Sequence, residues 1–185
     1  MRKSKQEAAE TRRRIVTFAA REFNKGGINS TGIADVMTAA GLTTGGFYKH
    51  FSSKDQLVAE ALGAALQKSV DSVEAKRGGD LNAIAAGYLS KRHRDSLESS
   101  CPLPSVGSEL RLAENDARQA ISKGIERFIS IIQACFPDLP PKEAKAKAHA
   151  IVSAMVGAMV LSRIATDGKL SNRLLRDTKD FLTQI

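Results

Sequence analysis

Residues 43–54 read TTGGFYKHFSSK, a run that sets hydroxyls, paired glycines and cationic side chains around two phenylalanines four apart. Hydroxyls of Thr43, Thr44 and Tyr48 can bond phosphate oxygens or base edges, and free N–H groups at a helix start favour anions. Gly45 and Gly46 let a backbone come close to its ligand, while Lys49, His50 and Lys54 supply polar and charged tips. This is the chemistry of nucleic-acid recognition, by contact with phosphates and base edges.

Such a surface needs elements to hold it. Thr31 is a candidate N-cap for a short helix through Ile33, Val36 and Met37 to Ala40, and Gly41 supplies the left-handed residue that stops it. Thr43 is the next N-cap candidate, and Phe47 with Phe51 gives the following helix an inward face. A helix, a Gly-containing turn and a second short helix form the unit that places a recognition helix in the major groove. An ordinary helical hairpin has the same spacing, but charge favours DNA. Residues 1–54 hold ten Lys and Arg against four Asp and Glu, whereas residues 55–185 hold 18 against 16. The positive field belongs to the N-terminal quarter.

The order Thr11-Arg12, Ile15, Ala19-Ala20, Phe23, Gly26-Gly27, Thr31, Val36, Ala40-Gly41-Leu42-Thr43, Gly45, Phe47-Tyr48, His50-Phe51, Lys54, Leu57 resembles the TetR family of bacterial transcriptional repressors. The resemblance implies that Thr31, Thr43, Thr44, Tyr48, His50 and Lys54 contact DNA, with Tyr48 and Lys54 among the phosphate contacts. Gly32 and Ala34 stand where many members of that family have a hydroxyl residue and a longer polar or basic one, and Gly46 replaces a common small side chain able to touch a base. Direct readout therefore shifts to Thr44 and Lys49, with Thr44 able to meet a thymine methyl. The LTTGGFYKHF pattern, with Arg92-His93-Arg94-Asp95 and Cys101-Pro102 downstream, also resembles a subgroup of that family.

The chain has 185 residues, 42% hydrophobic and 26% charged, enough to bury a full core. Its basic start, MRKSKQEAAETRRR, leads into an amphipathic segment and reads as a basic arm, or as a merely solvated charged end at Arg2, Lys3 and Lys5. Residues 150–165 form the most apolar run, shorter than the roughly 20 residues that cross a bilayer, so a buried helix and no membrane partner are expected. Cys101 and Cys135 are too few for a disulfide framework, and His50, His93 and His149 form no metal-binding motif, so a reducing cytoplasm and neither metal nor cofactor are expected. No GxSxG elbow, phosphate-binding Gly loop or HExxH motif is present, which argues against an enzyme. A structural helical dimer or a basic membrane-surface protein leaves the Thr/Gly/Tyr surface unexplained.

Apolar residues three and four apart outline helices over 7–25, 53–73, from Leu81 after Asp80 as a candidate cap, from Glu114, over 142–166 and over 171–184, with no strand pattern anywhere. The fold expected is all-α: a three-helix helix-turn-helix domain over 1–57 and a helical effector and dimerisation domain over 58–185. Residues 92–108 break the periodicity with prolines, serines and charge, as a lid or linker would. Small residues Ala150, Ala154, Gly157, Ala158 and Ser162 permit close helix approach, so helices 142–166 and 171–184 either complete the monomer's core or pair with a second copy. A two-fold dimer would require a near-palindromic operator.

The resemblance further implies a small-molecule effector, bound in the C-terminal domain, that releases operator DNA in the cytoplasm and nucleoid. Candidate pocket walls are Tyr88, Leu89, His93, Phe128, Ile132, Met155 and Met159, for each of which ordinary core packing is the simpler account. Cys101 is a second candidate: a helix starting at Pro102 and nearby Arg92, His93 and Arg94 would favour its thiolate and an electrophile- or oxidant-sensing role, whereas burial would oppose both.

Overall fold

The computed structural model describes residues 5–77 and 79–184, which leaves Arg2 and Lys3 of the expected basic arm outside the described residues. Helices follow one another as α1 (Lys5–Gly26), α2 (Ile33–Ala39), α3 (Lys54–Arg77), α4 (Leu81–Tyr88), α5 (Lys91–Asp95), α6 (Leu103–Leu110), α7 (Asn115–Gln133), α8 (Pro141–Ile164) and α9 (Gly168–Leu182). Two 3₁₀ turns intervene, Thr44–Lys49 and Leu97–Ser99, and the described residues contain no strand. The fold is all-α, as the spacing predicts.

The amphipathic period sets each buried face. In α1, Ile15, Ala19 and Phe23 recur at four-residue spacing and are sealed from solvent, as are Val36 and Met37 of α2 and Phe47 and Phe51 beyond it. Each large apolar side chain buried in this way stabilises the unit by roughly 1.5–3 kcal/mol. Gly27 and Gly41 stand at φ +88° and +65°, in the left-handed region that ends a helix without cost only for glycine.

Helix α3 begins under the N-terminal unit and runs without interruption past residue 57, packing on α1, α4 and α7. Its residues Leu57, Leu62, Leu66 and Val70 join the core of both halves, so one continuous apolar cluster extends from Ile15 to Leu182. Helix α8 packs against α6, α7 and α9. By length and composition α8 could cross a membrane, but its buried stripe of Ala148, Ile151, Val152, Met155 and Met159 is spent on neighbouring helices of the bundle. Leu161 and Ile164 of α8 and Phe181 of α9 remain exposed.

Capping differs in part from expectation. Asp80 caps α4 by accepting from the Ala83 N–H at 3.1 Å, and Asp167 caps α9 through the N–H groups of Lys169 and Leu170. Thr31 does not cap α2. Gly32 holds that position, its N–H bonded by Asp35 Oδ2 at 2.7 Å, while the Thr31 hydroxyl turns back to donate to the carbonyls of Gly27 (2.7 Å) and Glu22 (3.3 Å). Residues 92–108 are also more ordered than their composition suggests, folding into the short α5, a 3₁₀ turn and α6. Arg163 organises them, donating to the carbonyls of His93 and Arg94 and to the hydroxyls of Ser100 and Ser105 at 2.9–3.2 Å.

Candidate nucleic-acid interface

Thr43, Thr44, Gly45, Tyr48 and Lys49 are all exposed along one short segment, with Tyr48 72% accessible. The segment that carries them is a six-residue 3₁₀ turn where the pattern predicts an α-helix. Two adjacent glycines explain the difference: each weakens helix formation by about 1 kcal/mol relative to alanine, and a run this short gains little from extension. Phe47 fixes the turn from below. Its ring stacks on Phe51 at 5.5 Å and meets the Tyr48 ring edge to face at 5.1 Å, which gives the exposed tyrosine one packed neighbour.

Other expected contacts are placed differently. Lys54 opens α3, and its ammonium donates to the Ile28 carbonyl at 2.6 Å, tying the turn after α1 to the start of α3 while two further N–H donors remain. His50 is half-buried at the end of the turn. Thr31 is 6% exposed with its hydroxyl bonded inward, so it locks the α1–α2 turn and offers no free hydroxyl to a phosphate. A residue that site reasoning passed over is Arg12. It bonds both carboxylate oxygens of Glu60, donates to the His50 carbonyl at 3.3 Å and covers the Phe51 ring at 4.4 Å. Bidentate pairing and ring stacking together clamp α1, α3 and the recognition turn.

A cavity of about 780 Å³ lies where α1 meets α3, α4 and the segment 90–101. Tyr88, His93 and Cys101 line it, but Phe128, Met155 and Met159 do not, nor do Leu89 and Ile132. Those five are core residues, Phe128 at 2% and both methionines at 0% exposure, because their helical spacing records burial and not a ligand face. His93 is held on both sides: Nδ1 bonds the Tyr88 carbonyl at 2.7 Å and Nε2 accepts from the Cys101 N–H at 3.2 Å. Those partners fix a neutral ring with its proton on Nδ1, and burial lowers its pKa, with Arg163 acting in the same direction.

The Cys101 thiol has the neighbours that favour thiolate, including the Leu103 N–H at the start of α6 and Arg163, yet burial outweighs them and pushes its pKa up. Of the two readings open for Cys101, burial favours the protonated thiol, which is closed to solvent. The cavity also touches the N-terminal unit directly. Asn24 Nδ2 of α1 donates to the Ser100 carbonyl at 3.1 Å, and Lys25 pairs with Glu98 at 3.7 Å. Asn29 N–H bonds Glu109 of α6 at 2.8 Å.

Comparison with known proteins agrees with this architecture. Residues 15–61 match the model for bacterial regulatory proteins of the tetR family, and residues 59–173 match the C-terminal domain of LmrA/YxaF-like transcriptional regulators. The chain is 26% identical over 170 residues to the HTH-type transcriptional regulator LmrA of Bacillus subtilis strain 168, covering 84% of this chain and 88% of that one. Similarity to the HTH-type transcriptional regulator AcrR of Shigella flexneri is higher, 46%, but spans 59 residues, 32% of this chain and only 27% of AcrR. A TetR transcriptional regulator of known structure from Chloroflexus aurantiacus J-10-FL superimposes with a TM-score of 0.77 at 28% identity, over 97% of each chain. With a helix-turn-helix model in its first third and a regulator-domain model over most of the remainder, the chain belongs to the TetR family of bacterial transcriptional regulators.

Proposed function

We propose that this regulator is a ligand-responsive repressor that binds a near-palindromic operator as a homodimer and is released when an effector occupies its C-terminal domain. The observation that carries the DNA half is the exposed run of Thr43, Thr44, Gly45, Tyr48 and Lys49 around the buried Phe47 and Phe51. Tyr48 and Lys54 serve phosphate, Thr44 and Lys49 reach base edges, and His50 joins at the rim; Thr31 acts from beneath as a lock. The division of labour falls at residues 57/58, inside α3, which carries motion between the two parts.

Dimerisation uses helices 142–166 and 171–184, and exposed Leu161, Ile164 and Phe181 are the apolar groups a partner would cover. The two recognition turns then meet half-sites about 34–36 Å apart, one turn of DNA. Effector binding reaches the DNA unit through the ties from Asn24 to Ser100 and from Lys25 to Glu98. A ligand that favours the DNA-incompetent state by a few kcal/mol suffices to shift the population. The rival reading of a thiol sensor at Cys101 is disfavoured by the burial that keeps that thiol protonated.

Footprinting on DNA flanking its own gene, at physiological salt, tests the proposal. The expected result is a short protected near-palindrome whose affinity falls at least tenfold in Tyr48→Ala. Protection absent both with and without cell metabolites would overturn it.

A further inference from the structure

The cavity between α1 and the segment 90–101 is charged in one direction. Arg21, Lys68 and Arg92 line it, and none of the three makes an ion pair among the described residues. The one carboxylate in the lining, Glu98, is already paired with Lys25. Behind the wall, half-buried Arg163 is bound only by carbonyls and hydroxyls, with no carboxylate at ion-pair distance. Neutral acceptors satisfy its hydrogen bonds but leave its charge in place, so its field adds to that of the lining cations.

The floor is also incomplete. Tyr88 and Asn24 line the cavity and both are more than nine-tenths buried; Asn24 Oδ1 has no hydrogen-bond partner, and Tyr88 Oη has only the buried Cys101 thiol beside it, a weak partner. One is a neutral phenol that can donate and the other an amide oxygen that can only accept. A poorly met buried polar group is destabilising, and both residues border the same space. Both atoms are shut off from solvent, so the partner must press into the floor. Around them the wall is built from alanines and serines, which leave room for a flat body.

We propose that this cavity binds a flat organic anion that also carries a hydroxyl or amine donor, with the anionic group toward Arg21, Lys68 and Arg92 and the polar end toward Tyr88 and Asn24. A volume of about 780 Å³ suits a molecule of two or more fused rings. The proposal rests on the reading of the chain as a ligand-responsive regulator and gives that ligand a chemical class.

Matched probes test it: 6-hydroxy-2-naphthoate, its neutral methyl ester, and 2-naphthoate without the hydroxyl. The chain contains no tryptophan, so naphthoate fluorescence can be followed directly. The hydroxy acid should bind saturably, at least tenfold tighter than the ester and several-fold tighter than 2-naphthoate. The triple variant R21Q/K68Q/R92Q should lose the preference for the acid over the ester. Tyr88→Phe should weaken the hydroxy acid several-fold, with thermal stability nearly retained because the hydroxyl it removes has only the weakly bonding Cys101 thiol beside it. Absence of saturable binding, an ester as tight as the acid, a preference that survives in the triple variant, or an unchanged Tyr88→Phe would each overturn the assignment. Operator binding measured on the same samples without probe separates the two ideas: intact operator recognition with failed probe binding defeats the cavity assignment alone, and lost recognition in the wild type defeats the regulator reading.

Discussion

The two regions proposed to do the work of this molecule are built in opposite ways. The proposed DNA surface is continuous in sequence and carried on a dense core, with Phe47 and Phe51 at or near zero exposure beneath exposed Thr44, Tyr48 and Lys49. The cavity is concave, assembled from α1, α3, α4 and the segment 90–101, and made by small side chains that leave space. A surface proposed to match a rigid duplex gains from immobilised side chains, whereas a cavity proposed to take in a ligand gains from unfilled volume. Rigidity is thus concentrated below the recognition turn, and slack at the junction that α1 shares with the regulatory half.

The sharpest way to break this contrast is to remove the rigid support. Phe47→Ala deletes a fully buried ring and should cost about 3–5 kcal/mol in the N-terminal unit. Urea unfolding should show a lower midpoint, and operator binding should vanish while the C-terminal helices stay folded by circular dichroism. Equal stability in the variant would show that the turn is not held by that ring. A smaller loss is expected at Gly124→Ala, where α7 meets α3. A Cβ there would sit 2.7 Å from Leu66 Cγ and closer still to one of its methyls. Overpacking of about 1–3 kcal/mol should exceed the roughly 1 kcal/mol gained in helix propensity. Adding Leu66→Ala should remove the clash, so the double variant should be less damaged than the sum of the two single losses.

Much of the rigid region is legible in sequence because its signals are local. The four-residue spacing of Phe47 and Phe51, the stop at Gly41 and the cap at Asp80 each depend on near neighbours. Failures occur where a distant group decides. Residues 92–108 look irregular until Arg163, 58–70 residues away in the chain, collects their carbonyls and hydroxyls. Thr31 has the right type and place for a cap, yet its hydroxyl finds carbonyls of the preceding helix end and Asp35 closes on Gly32 instead. The cavity is the least legible part. Periodicity finds bulky residues such as Phe128, Met155 and Met159, and these fill the core, while the alanines and serines that enclose the space carry no periodic signal.

Gly45 sharpens the comparison because it separates fold from interface. A Cβ added there meets nothing within 4 Å, so Gly45→Ala should leave stability within about 0.5 kcal/mol of wild type or raise it. If the backbone approaches DNA at this point, operator affinity should still fall by roughly tenfold, the size of a single close contact. Fluorescence anisotropy with an operator duplex measures the affinity and thermal melting the stability. Unchanged affinity would place the DNA backbone elsewhere and leave Thr44 and Lys49 as the closest points of approach.

The smallest effect is expected at His93, where the cavity wall carries its own pH sensitivity. Burial holds the folded pKa below the ordinary value, and the ring is neutral between the Tyr88 carbonyl and the Cys101 N–H. The unfolded chain therefore takes up a proton at a higher pH than the folded one. As pH falls through the unfolded value near 6.5 toward the lower folded value, the unfolded state binds more protons and stability declines. A protonated Nε2 could no longer accept from Cys101, so the same change loosens the wall that carries Ser100 and its tie to Asn24. His93→Gln cannot titrate, and its melting temperature should fall less than that of the wild type between about pH 7.5 and about pH 5. Parallel declines in the two proteins would assign the acid sensitivity to other groups and leave His93 a purely structural post of the cavity.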